Sequence, residues 1–132
     1  MEHYRVGVIC DMHLSGESRA PQSMFLKMAV EKMKEDGIQT IVCLGDITGF
    51  GEVEGWNLYQ DIVKCLPHYE VIGNSDVRDA DTTETFLALA KPVVFPVGKR
   101  NVYGFNTPYG EITEEERVIL SQVKSGDIIF NE

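Results

Sequence analysis

Short apolar runs alternate along this chain with segments of helical period. "YRVGVIC" (Tyr4–Cys10) and "QTIVCL" (Gln39–Leu44) predict strands, and each is followed by a helical pattern, over Pro21–Asp36 and Glu54–Leu66. In the first of these helices Met24, Phe25, Met28, Ala29 and Met33 recur at helical spacing, which predicts a core-facing stripe, while Lys27, Glu31, Lys34 and Glu35 take the other side. Gly37 stands where a C-cap glycine ends such a helix. Both strands are apolar nearly throughout instead of alternating, the pattern of parallel strands buried on two faces, so helices are expected on both sides of the sheet. A third strand, Tyr69–Ile72, runs into "GNSD". Asp81–Glu84 reads as a capping box for a helix over Thr83–Ala90, and Thr113–Glu116 as another for a helix reaching about Lys124. "PVVFPVGKRNVYGFN" predicts two strands around a turn at Gly98–Arg100, kept to a sheet edge by Pro92 and Pro96, and "GDIIFNE" opens one more strand. The expected fold is therefore α/β, a mostly parallel sheet flanked by helices in one domain over residues 1–132. The closing strand signal predicts a short or truncated version of a larger fold.

Charge narrows the range of partners. Twelve Lys and Arg against 21 Asp and Glu leave a net charge of −9, a field that repels polyanions and argues against binding a nucleic-acid backbone. A phosphate-bearing substrate would need a local source of positive charge, such as a metal ion. No apolar run approaches the roughly 20 residues that span a bilayer, and the start at Met1–Arg5 lacks the pattern of a secretory leader. Cys10, Cys43 and Cys65 are odd in number and sit in apolar runs, so they are expected as buried thiols of a cytoplasmic protein.

The candidate chemistry lies at the carboxyl ends of the three parallel strands, where ligands collect in open α/β sheets. Asp11-Met12-His13, Gly45-Asp46 and Asn74-Ser75-Asp76 follow the three strands in turn. All are oxygen or imidazole donors to divalent cations. Asp11 and His13, two apart on extended chain, would point the same way and share an ion. Asp46 would bridge to a second ion, with the amide oxygen of Asn74 completing that site. Such a pair of ions neutralises a phosphate and activates a water.

In "DMH" (Asp11–His13), "GDITG" (Gly45–Gly49) and "GNSD" (Gly73–Asp76), in that order and each after a strand, the chain resembles the calcineurin-like metallophosphoesterases. That resemblance implies their α/β core without its carboxyl-terminal part. It implies two divalent ions, Mn, Fe, Ni or Zn, the first held by Asp11 and His13, the second by Asn74, with Asp46 shared. It also implies catalytic roles for Asp46, Asn74 and Asp76, and substrate contacts from Asn74 and Ser75. The implied activity is hydrolysis of a small phosphomonoester or phosphodiester by metal-bound hydroxide, and a homo-oligomer is compatible with it.

The chain departs from the family in three places. Ser75 stands where the family has its catalytic histidine, Asn106 in "GFNTPYG" stands where a later histidine is expected, and the terminal Gly-His-x-His has no counterpart. Losing a positioned proton donor costs about 10²–10⁴ in rate, so a catalytically inactive scaffold on the same fold is the alternative. Blander uses also stand open: Asp11 and Asp46 as strand-end caps, Asn74 as a turn residue, His68 and the Trp56/Tyr59 pair as packing groups, and "GFGEVEG" (Gly49–Gly55) as a flexible bend in preference to a nucleotide loop.

Overall fold

A computed structural model describes residues 3–132. In chain order it contains β1 (Val6–Ile9), α1 (Pro21–Glu35), β2 (Thr40–Cys43), α2 (Val53–Val63), β3 (His68–Glu70), a 3-10 turn (Ser75–Val77), α3 (Thr83–Leu89), β4 (Val93–Val97), β5 (Arg100–Phe105), α4 (Glu114–Leu120) and β6 (Ile128–Asn131). The strands form two sheets of three. β1, β2 and β3 pair in parallel in that order, with β2 central and buried at all four positions. β4 pairs antiparallel with β5, and β6 pairs parallel with β5 on its other side. The proline-bearing β4 lies at an edge, where a missing N–H costs no ladder bond.

One face of the parallel sheet meets the helices: Ile41 and Cys43 pack with Leu26 and Val30 of α1 and Tyr59 and Val63 of α2. Its other face is not covered by helices, as the apolar strands had suggested. Val42 and Val71 pack instead on Phe95, Val102 and Phe130 of the second sheet, and the Tyr69 and Phe95 rings stack with centroids 4.2 Å apart. A strand buried on both faces requires only an apolar layer on each side, and a sheet satisfies that as well as a helix.

Helix α1 turns differently from expectation. Its buried positions are Ser23, Leu26 and Val30, with Met33 packed alongside, while Phe25 is 68% and Met28 61% exposed and Met24 is also open to solvent. Two apolar stripes of helical spacing run along this segment. The one that wins brings Met33 over Gly7 of β1, where a Cβ would stand 2.8 Å from its sulfur. Only Cys43 of the three free thiols is buried; Cys10 lies just past β1 and Cys65 just past α2, both exposed. The capping box at Thr113 forms as expected, its hydroxyl accepting from Glu116 N at 3.1 Å. The box expected at Asp81–Glu84 does not: the N-cap is Thr82, whose side chain accepts no cap bond and whose hydroxyl donates to Gly51 O at 2.7 Å, tying α3 to the loop after β2. Among the described residues no helix is long and apolar enough to cross a membrane.

Candidate metal centre

The loops leaving β1 and β2 stay joined beyond the sheet. Asp11 N donates to Gly45 O at 3.2 Å, His13 N to Asp46 O at 3.0 Å and Leu14 N to Ile47 O at 2.7 Å. Asp11 and His13 do not share a side by lying on extended chain, as their spacing suggested. Both adopt the left-handed region, with φ of 56° and 50°, and so does Asp46, with φ of 53°. These are the only non-glycine residues with positive φ among the described residues. One ligand atom from each, a carboxylate oxygen or a ring nitrogen, lies within 4.8 Å of the other two. Each left-handed residue costs about 1 kcal/mol or more, and here the cost falls entirely on the three groups that converge.

Asp46 is the buried member of the trio at 8% exposure, and the β3 side of the site fixes it. Its Oδ1 accepts from Ser75 N at 3.0 Å, and the Ser75 hydroxyl lies 2.8 Å from that oxygen and 2.7 Å from Thr48 O. Burial alone would raise the Asp46 carboxyl, but the bonds from the Ser75 hydroxyl and amide outweigh it and hold the group below its ordinary value. Ser75, expected to contact substrate, is thus committed to orienting Asp46.

Asp76, expected in a catalytic role, is placed away from solvent. It is wholly buried, with Oδ1 accepting from Thr48 N and Thr48 Oγ1 at 2.8 Å each, and Oδ2 from Gly73 N at 2.9 Å and Ile47 N at 3.3 Å. With no face left for a substrate, it braces the loop that presents Asp46.

Asn74 is exposed at the start of the 3-10 turn, and its backbone N–H ties it to the site by donating to Glu132 Oε2 at 2.9 Å. Glu132 had not been anticipated. It follows β6, a strand parallel to β5, so the rule that picked out Asp11 and Asp46 at carboxyl strand ends applies to it equally. Gly73 permits its approach, because a Cβ there would collide with both Asp46 Oδ1 and Glu132 Oε2. Burial and then the neighbouring Asp46 charge push the Glu132 carboxyl up to about 7, with its proton shared toward Asp46.

Because the folded state holds this proton more tightly than the unfolded chain, ionising Glu132 removes stability as pH climbs from its ordinary 4.5 through about 7. Chelator-treated Glu132→Gln should therefore melt above wild type at pH 8 and no higher than wild type at pH 4.5. Parallel melting profiles across that range would contradict the assignment.

Other candidates lie outside the centre. Asn106 is buried between the layers, with Oδ1 accepting from Ile72 N and Nδ2 donating to Lys91 O, both at 2.9 Å. His68 Nδ1 lies 2.9 Å from Glu70 Oε2, a carboxylate also held by Tyr59 and Gln60. Tyr59 is buried in the core and Trp56 packs against it and Phe86. The desolvation that Cys10 does undergo and the neighbouring Asp11 carboxylate raise its thiol, which lowers its thiolate fraction. No protein-family model matches the chain, and no curated protein matches it.

Proposed function

We propose that this chain is a metal-dependent phosphoesterase with the core of the calcineurin-like metallophosphoesterases, hydrolysing a small phosphomonoester or phosphodiester. One observation carries the reading: among the described residues the three left-handed non-glycine residues are Asp11, His13 and Asp46, and their ligand atoms converge within 4.8 Å. A scaffold has no physical use for three strained polar residues facing one another, whereas a cation that binds all three offsets the strain. Two carboxylates and an imidazole fit Mn, Fe, Ni or Zn; Asn74 and Glu132, joined through the Asn74 N–H, are the proposed donors for a second ion. When bound, such ions neutralise the phosphate and lower the pKa of a coordinated water.

The chain's own residues do the positioning. Asp11 and His13 come from the β1 loop and Asp46 from the β2 loop. Ser75 aims the shared carboxylate, and Asp76 locks the two loops that carry Asp46 and Ser75. In the reaction the oxygen of water bonds to phosphorus, the ester bond breaks with its electron pair leaving on the departing oxygen, and the proton lost by water passes to solvent. A second reading, a non-catalytic binding module, is favoured by Ser75, whose hydroxyl is engaged by Asp46 and Thr48 where a proton donor would be needed.

Calorimetric titration with manganese, followed by hydrolysis of p-nitrophenyl phosphate and its bis-ester, separates the two. Saturable heat with metal-stimulated release of nitrophenol is expected. Heat without turnover supports the binding module, and neither at millimolar manganese overturns the metal centre itself.

A further inference from the structure

The 3-10 turn that carries Ser75 ends at Arg78, whose backbone N–H donates to Ser75 O at 3.4 Å. Side chains three apart on such a turn eclipse one another. Arg78 thus stands one turn after Ser75, whose hydroxyl reaches Asp46. A separate contact ties it to the loop after β2 that carries Asp46: its guanidinium carbon lies 5.6 Å from the centroid of the Phe50 ring. Phe50 follows Gly49, and a Cβ built on Gly49 would stand 3.8 Å from His13 O.

Phe50 is 65% exposed, yet its loop is tied down next to the ring. Gly51 N donates to Thr48 Oγ1 at 2.9 Å, and Gly51 O accepts from Thr82 Oγ1 at 2.7 Å. The backbone next to the ring is thus tied down, and the guanidinium lies within cation–π distance of the ring. Among the described residues no carboxylate lies within ion-pair distance of Arg78. In a chain with 21 acidic residues, an arginine left unpaired beside an acidic centre is available to an anion from solution.

We infer that Arg78, held over Phe50, binds the non-bridging oxygens of the substrate's phosphoryl group; this rests on the phosphoesterase reading above. A guanidinium matches phosphoryl oxygens with a planar fork and stays charged throughout, so it neutralises charge without giving up a proton. With the Ser75 hydroxyl engaged by Asp46 and Thr48, neither residue protonates the leaving group. The substrate class that follows is phosphoesters and phosphoanhydrides whose leaving groups depart as stable anions: aryl esters in preference to alkyl ones.

The test compares wild type, Arg78→Gln, Arg78→Lys and Phe50→Ala in three measurements: manganese affinity, affinity for inorganic phosphate in the presence of manganese, and kcat/KM over a series of phosphate esters of graded leaving-group pKa. Arg78→Gln is expected to lower kcat/KM about 100-fold and phosphate affinity about tenfold. Manganese affinity should stay within about twofold, and the steep dependence on leaving-group pKa should be unchanged. Arg78→Lys should recover part of the loss, and Phe50→Ala should fall between wild type and Arg78→Gln.

An active wild type with Arg78→Gln equal to it in turnover and phosphate binding overturns the inference and leaves the phosphoesterase reading standing. Loss of manganese binding in Arg78→Gln, or a flattened leaving-group dependence, also overturns it, since the residue would then be structural or a proton donor. A wild type without manganese binding or turnover overturns the phosphoesterase reading, and the role of Arg78 falls with it.

Discussion

Asp46→Asn is expected to remove metal-stimulated phosphoester hydrolysis, by about 10³-fold or more, and to weaken manganese binding at least about 100-fold, while the fold survives. The substitution is chosen for what it keeps. An asparagine retains the Oδ1 that accepts from the Ser75 N–H and hydroxyl, and it tolerates the left-handed backbone of this position, where φ is 53°. What it loses is the negative charge that, in the proposed centre, would draw a cation toward Asp11 and His13. The melting temperature should move by no more than about 3 °C, under 1 kcal/mol for a chain of this size. Circular dichroism melts, calorimetry and the chromogenic assay on one preparation check all three expectations. Hydrolysis at the wild-type rate would end the catalytic reading, and unchanged manganese binding would end the metal centre.

Asp76→Ala should show the opposite balance, with a large loss of stability and a smaller effect on chemistry. Its fully buried carboxylate accepts four hydrogen bonds from Ile47, Thr48 and Gly73, and truncation leaves those donors unpaired in a site that water does not reach. A cost of about 3–5 kcal/mol is expected. In a domain of this length that lowers the melting temperature by about 10–20 °C. Asp76→Asn keeps the shape but turns an amide N–H toward backbone donors, so it should fall between alanine and wild type. Assayed well below its melting point, the alanine variant should keep hydrolysis within about tenfold of wild type, because the carboxylate is fully buried and already bonded to the loop it braces. Full stability with lost activity would return Asp76 to the catalytic set.

Much of this molecule was legible along the chain because the relevant signals are local. The alternation of strand and helix, the turn read at Gly98–Arg100, whose last residue begins β5, the capping box at Thr113 and the polar residues at Asp11, His13, Asp46 and Asn74 all declare themselves within a few neighbouring positions. Other features depend on partners distant in sequence and could not be read that way. Whether Met24 and Phe25 or Leu26 and Val30 face the core depends on which stripe the sheet accepts, and both stripes have helical spacing. The likeness of Ser75 and Asp76 to site residues was a matter of motif. Their actual work depends on Asp46, Ile47 and Thr48, 27 to 29 positions away.

The sequence by itself determined which elements form and which residues stand at the ends of the three parallel strands, because backbone propensity and hydrophobic period act over one or two turns of chain. Only the tertiary structure decided that a second sheet covers the first, that Asp11, His13 and Asp46 coil left-handed into one cluster, and that Glu132 arrives beside Asn74 across 58 positions. Those outcomes are set by packing between layers and by hydrogen bonds between loops, and no periodicity within a single segment encodes which surfaces will meet.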